Sequence, residues 1–221
     1  MNAREKILSN VRNALGRVGP LAPAAIADLE TRQTVLVQPT IDSPLLDAFE
    51  ENLIAAGGTV EHVDSFEEIG AAVATYLKSH QLPNELIVSE DPIVSGISWP
   101  SLISTKTGAA QGQEMVSVTG ALVAVAETGT LVLVSGEHNP TSLNFLPDDH
   151  IVVLPESRVV GHFEDAWVSL RNMGHMPRTV NLISGPSKTG DVELTLVQGA
   201  HGPRRLHVLF YRDQEGSQAA D

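Results

Sequence analysis

Apolar positions change period several times along this chain, and each change marks a part of it. Ile7, Leu8, Val11 and Leu15 fall on one helical face, with Arg4, Lys6, Arg12 and Arg17 around them and Gly16 and Gly19 just beyond. The spacing predicts an amphipathic helix of roughly four turns, followed by an Ala/Pro linker at 20–26. So short a helix is marginal alone and must dock, either on its own domain or as a handle for a partner subunit or a second copy of the chain.

After the linker, strand-like and helix-like stretches alternate. Residues 34–38 form a short apolar run, and 42–56 carry Leu45, Leu46, Phe49 and Leu53 on one helical face before Gly57-Gly58. Residues 59–63 return to a strand pattern. Ser65 and Glu68 form a capping-box pattern ahead of Ile69, Val73, Tyr76, Leu77 and His80, and Pro83 stops that helix. Residues 85–89 are the next strand, whereas 91–114 are rich in Gly, Ser and Pro and read as a long loop or broken connection, either a lid or an irregular surface crossing. From Val116 the chain turns more apolar. Residues 121–126 fit a strand or one helical turn equally, 129–135, 151–154, 179–183 and 206–211 read as strands, and 163–173 as a helix with Ala166, Trp167 and Leu170 inward. A further helix is expected at 191–197. This alternation predicts an α/β fold with a mainly parallel sheet and helices on both faces, and ligands in such sheets bind beyond the carboxyl ends of the strands. Three parts follow: a helix at 1–19, an α/β domain at 27–212 and a polar tail at 213–221.

Composition narrows the function. With 221 residues and 42% hydrophobic content, the chain can bury one sizeable core. No apolar stretch is long enough to span a bilayer and the first residues lack the pattern of a signal peptide, so a cytoplasmic protein is expected. There are no cysteines, which removes disulfides, cysteine-ligated zinc and thiolate-held iron–sulfur clusters. The net charge of −13 argues against nonspecific nucleic-acid binding. Residues 21–98 carry thirteen acidic and two basic side chains against four basic and one acidic in 1–20, so the acidic surface is solvated or faces a partner.

Chemistry concentrates in three polar glycine loops: Glu127-Thr128-Gly129-Thr130, Ser184-Gly185-Pro186-Ser187-Lys188-Thr189-Gly190-Asp191, and His201-Gly202-Pro203. Glycine lets backbone N–H groups approach an anion, and Ser and Thr hydroxyls add donors and acceptors. Ser184, Ser187, Lys188 and Thr189 are candidate ligand contacts, and Asp191 is placed to cap a following helix. The phosphate-cradling pattern ending in Gly-Lys-Ser/Thr is absent. His201 could titrate near neutrality and hold a carboxylate or be a structural residue, and the same choice applies to His207. Glu127 could act as acid, base or nucleophile, or anchor the loop that follows. Asn139 and Asn144 flank Pro140-Thr141-Ser142 and are either rim residues or turn formers. His138, His150, His162 and His175 fit no metal-ligand spacing.

Read in order, the ETGT element, Leu146-Pro147 with His150-Ile151, the SGPSKT element and the HGPRRLHV element at 201–208 resemble the LUD-domain family, and within it the small lactate utilization proteins. The match runs from about residue 118 to 210. Lys188 and Gly190 depart mildly from the pattern, where Arg and a small residue such as Ala are usual. The resemblance implies a fold like that of CoA transferases and sugar-phosphate isomerases, some of which use a glutamate covalently. It also implies a subunit of a three-component L-lactate oxidation system that yields pyruvate, with the iron–sulfur clusters in partner proteins and no cofactor on this chain. The ligand-facing set it suggests is Thr128, Gly129, Thr130, Asn139, Ser184, Gly185, Ser187, Lys188, Thr189, His201 and Gly202, with a small carboxylate as ligand. A free-standing transferase or isomerase using Glu127, and a scaffold without ligand, are the rival expectations.

Overall fold

The computed structural model describes residues 2–16, 23, 38–190, 196–199 and 201–213. The chain divides into two units, Met1–Gln38 and Pro39–Asp221. In the first, α1 (Ala3–Ala14) is closed at its start by a reciprocal capping box: Glu5 N–H donates to Asn2 Oδ1 and Asn2 N–H to Glu5 Oε2, both at 2.9 Å. None of its residues is buried. The linker at 20–26 save residue 23, the strand expected at 34–38 save its last residue, Asp191 with its capping role, and the tail beyond 213 lie outside the described residues.

The second unit contains the helices α2 (Leu45–Ala55), α3 (Ile69–Ser79), α4 (Pro92–Ser95) and α5 (Phe163–Asn172). Its strands are β1 (Thr59–Val63), β2 (Glu85–Val88), β3 (Ser104–Thr107), β4 (Val116–Gly120), β5 (Val123–Val125), β6 (Thr130–Val134), β7 (Asp149–Pro155), β8 (Val159–Val160), β9 (Val180–Ile183), β10 (Lys188–Gly190), β11 (Leu196–Gln198) and β12 (Arg205–Tyr211). Six of them build a wholly parallel sheet in the order β1-β12-β7-β4-β2-β3. A smaller sheet runs β8-β5-β6-β9, and β10 and β11 make an antiparallel ribbon.

The apolar runs at the centres of β7 and β12 follow from burial on both faces. On one face Ile151, Val153 and Leu209 meet Ile69, Val73 and Leu77 of α3. On the other, Val152, Leu154, Val208 and Phe210 meet Phe49 and Leu53 of α2 and Leu131 and Leu133 of the small sheet. The far side of the small sheet packs Val123, Val125 and Val132 under Ala166 and Phe163 of α5. Helices thus cover both faces of the large sheet, with the small sheet sharing one face with α2.

Several expectations need correction. The stretch 91–114 is not structureless: Asp91 accepts from the N–H groups of Ile93 and Val94 and starts α4 with Pro92 at its first position, and β3 pairs with β2 at the sheet edge. All four β3 residues are exposed, so this edge strand has no apolar signature. The capping box at 65–68 does not form. Ser65 makes no capping bond, a 3-10 turn covers Phe66–Glu68, and Glu68 instead accepts from Asp64 N–H at 3.3 Å. The helix expected at 191–197 is contradicted at its end, where Leu196 and Val197 belong to β11 and pair with Gly190 and Thr189. The ambiguous 121–126 segment resolves as β5, because its partner β6 supplies the ladder.

Candidate functional site

Residues from the SGPSKT and HGP elements are brought together, and the chain's backbone does it. Ser187 N–H donates to Pro203 O at 2.9 Å and Gly199 N–H to Ser187 O at 3.0 Å, locking one loop on the other. Gly185 sits at φ +98°, and a Cβ there would lie 2.8 Å from Ala56 O, so the loop presses against the end of α2 as only glycine allows. Lys188 Nζ donates to the same Ala56 carbonyl at 2.5 Å, satisfying a helix-end acceptor.

The ETGT element joins the loops through hydroxyls. Thr130, 1% exposed, lies 2.7 Å from Thr128 Oγ1 and 2.5 Å from Ser184 Oγ. Each hydroxyl can give one proton, so this chain orients the Ser184 hydroxyl at its outer end. Gly129 has φ +62° and a notional Cβ 2.4 Å from Leu53 N, while Asn52 Nδ2 donates to Ala126 O at 2.9 Å. Thr128, Gly129 and Thr130 therefore support the rim and hold α2 rather than line it.

Beneath the loops lies a cavity of about 290 Å³, lined by Asn144, Phe145, His150, the stretch 182–188, His201, Gly202, Pro203 and Leu206. Ser184, Gly185, Ser187, Lys188, His201 and Gly202 share it; Thr189 continues into β10. His150 is absent from the expected set because its spacing to the other histidines fits no metal site. The signal that could have found it is its place inside the LP-x-x-HI motif, just ahead of the apolar run Ile151 to Leu154. The cavity sits at the amino ends of β7 and β12, where the HGP loop feeds β12, and not beyond the carboxyl ends as the α/β pattern suggested.

Three expected residues are elsewhere. Asn139 lines a separate, open depression of about 600 Å³ with Arg178 and Thr141. Glu127 has both oxygens engaged: His162 Nδ1 lies 2.9 Å from Oε2, and Phe163 N–H donates to Oε1 at 3.0 Å. Its carboxylate thereby faces the positive end of α5, a stabilising position for an anion. His207 lies on the α3 face of the large sheet. Its Nδ1 is 2.8 Å from Thr59 Oγ1, its ring stacks on Tyr76 at 4.5 Å, and Nε2 is 3.5 Å from Glu61 without hydrogen-bond alignment. Burial first, then the nearby His80 charge, pushes its pKa down to about 4.

An ion pair with a buried carboxylate fixes the strand entrance beside the cavity. Asp149, fully buried, accepts from Arg205 Nε at 2.5 Å, Arg205 Nη2 at 2.6 Å and the Tyr76 hydroxyl at 2.8 Å. Desolvation and the Asp149 charge both raise the Tyr76 pKa, so the phenol stays protonated as a donor. Among the described residues no group of three or more His, Asp or Glu could hold a metal, and no helix is long and apolar enough to cross a membrane.

Comparison with known proteins bears on the family and the fold. The LUD domain matches residues 46–211. Lactate utilization protein C of Geobacillus thermodenitrificans is 26% identical over 238 residues, covering 96% of this chain and 97% of that protein. Its counterpart in Halalkalibacterium halodurans is 26% identical over 231 residues, with 96% and 98% covered. An uncharacterized protein of Neisseria meningitidis is 43% identical over 91 residues, which span 41% of this chain and 39% of that one. In fold, the crystal structure of a DUF162 family protein from Deinococcus radiodurans superposes with a TM-score of 0.56 at 23% identity, covering 78% of this chain and 99% of that one.

Proposed function

Because the chain belongs to the LUD-domain family, we propose that it is a non-redox component of an L-lactate utilization system, binding a small carboxylate while iron–sulfur partner proteins carry the electrons. With no cysteine in the sequence, thiolate-held clusters have to reside in the partners. The nearly full-length likeness to proteins named lactate utilization protein C supports the pathway.

The observation that carries the binding role is the convergence of Ser184, Ser187, Lys188 and His201, from two separate loops, on one cavity. Its volume of about 290 Å³ equals that of roughly ten water molecules, ample for a three-carbon acid. Hydroxyls, an ammonium and an imidazole are the groups that recognise a carboxylate.

Two measurements test the two halves. Calorimetric titration of the isolated protein with L-lactate and pyruvate should show binding in the millimolar range or tighter; silence with both removes the carboxylate role. Anaerobic affinity purification from lactate-grown cells should recover iron-containing proteins and lactate-dependent dye reduction. A protein recovered alone, without iron or activity, removes the partner role.

A further inference from the structure

His150 is the second residue of β7 and is 1% exposed. Its register partners are Ser117 on β4 and Leu206 on β12, which place it on the sheet face that carries the cavity. The ring lines that cavity. Nε2 lies 2.8 Å from Thr119 Oγ1, whereas Nδ1 is buried without a hydrogen-bond partner. An orphaned buried nitrogen is a standing cost that folds seldom keep unless a ligand completes it.

Burial pushes the His150 pKa down to about 3, so the ring is neutral at physiological pH. A neutral imidazole has one N–H and one lone pair. If Nε2 donates to Thr119, Nδ1 is an acceptor; if the Thr119 hydroxyl donates to Nε2, Nδ1 carries the proton. Either form pairs with an uncharged oxygen, a hydroxyl or a carbonyl. The rim carries the cationic and hydroxyl groups, Lys188, Ser184 and Ser187, so the two sides of the cavity differ in chemistry. A carboxylate beside an uncharged oxygen on the next carbon matches both.

We propose that His150 Nδ1 hydrogen-bonds the C2 oxygen of a small 2-hydroxy or 2-oxo carboxylate in this cavity, with Thr119 as the positioning residue that sets the ring. This rests on the carboxylate reading above and adds to it the atom that discriminates among acids. Nδ1 exposes no appreciable surface, so contact requires the lining to yield; Phe145 and Leu182, 39% and 50% exposed, are the large apolar side chains of that lining that face solvent.

The test is titration of the full chain with L-lactate, pyruvate and propionate, which lacks a C2 oxygen. The wild type should bind lactate or pyruvate at least ~10-fold tighter than propionate, the scale of one lost buried hydrogen bond. His150→Phe should abolish that preference, and Thr119→Val should reduce it. In the wild type labelled with nitrogen-15 histidine, the His150 ring signals should move with lactate or pyruvate and stay fixed with propionate, a readout that needs no folded variant. Equal binding of all three acids, unmoved ring signals, or a preference retained in His150→Phe overturns the inference and leaves the carboxylate reading standing. Failure of all three acids to bind removes that reading and the inference with it.

Discussion

Arg205→Met removes the ionic partner of a buried carboxylate while keeping a side chain of comparable length. Asp149 exposes nothing and takes two guanidinium hydrogen bonds, at 2.5 and 2.6 Å, beside the one from Tyr76. Bonds to a charged group contribute about 1.5–3 kcal/mol each, so the pair is worth about 3–6 kcal/mol before screening. The Arg205 side chain is 41% exposed, and water will take over part of its role in the variant. Halving the figure leaves a loss of about 1.5–3 kcal/mol, at or below the lower end for breaking a buried pair. In a domain of this size that lowers Tm by about 3–12 °C. Urea unfolding of Arg205→Met, Asp149→Asn and the double variant forms a cycle in which the coupling should reach at least ~1.5 kcal/mol. A single variant costing under ~0.5 kcal/mol, or strict additivity, would refute the reasoning and reduce the pair to an ordinary surface contact.

Acid should destabilise the protein through two histidines. His150 and His207 are held at about 3 and about 4, below the value near 6.5 of an unfolded histidine. The unfolded chain therefore binds more protons as pH falls, so their stabilising contribution is complete above about pH 6.5 and drains away down to about pH 4 for His207 and about pH 3 for His150, with roughly 2–3 kcal/mol per histidine lost by about pH 4.5. Denaturant midpoints across that range should fall, and less steeply in His207→Phe; parallel curves would count against the burial argument. Gly129→Ala combines φ +62° with a backbone nitrogen 2.4 Å from the new methyl carbon, and should cost at least ~2 kcal/mol by thermal unfolding. Wild-type stability in that variant would mean the turn relaxes freely. Glu127→Gln retains an acceptor for Phe163 N–H and loses the carboxylate contact to His162, so it should lose about 1 kcal/mol of stability with lactate growth intact. Loss of growth at unchanged stability would restore a chemical role for Glu127.

Much of the architecture is legible because burial on two faces writes continuous apolar runs. Residues 59–63 are a strand as expected, α2 spans Leu45–Ala55 within the expected 42–56, and β12 starts one residue before its expected 206. β3 escaped because an edge strand needs only backbone pairing, and Ser104-Thr105-Lys106-Thr107 has no apolar side to read. The polar loops could be named from composition, but not their place. Which end of a parallel sheet a loop occupies depends on whether it leaves a strand or enters one, and the HGP element enters β12. His150 was hidden for a related reason: its partner Thr119 is thirty-one residues away and meets it only across the β4–β7 ladder.

The position of β12 also governs when the protein can fold. It is the last of the described strands, yet it lies between β1 and β7, joining Thr59 to His207 across 148 positions. Until that strand is available, β1 has no neighbour in the large sheet and β7 has only β4. During synthesis, both would wait with unpaired edges while almost the whole domain emerges, a situation that favours slow folding, capture by chaperones and edge-to-edge aggregation. A truncation within 205–211 should therefore unfold the α/β body as a unit, where trimming a peripheral strand would only fray it.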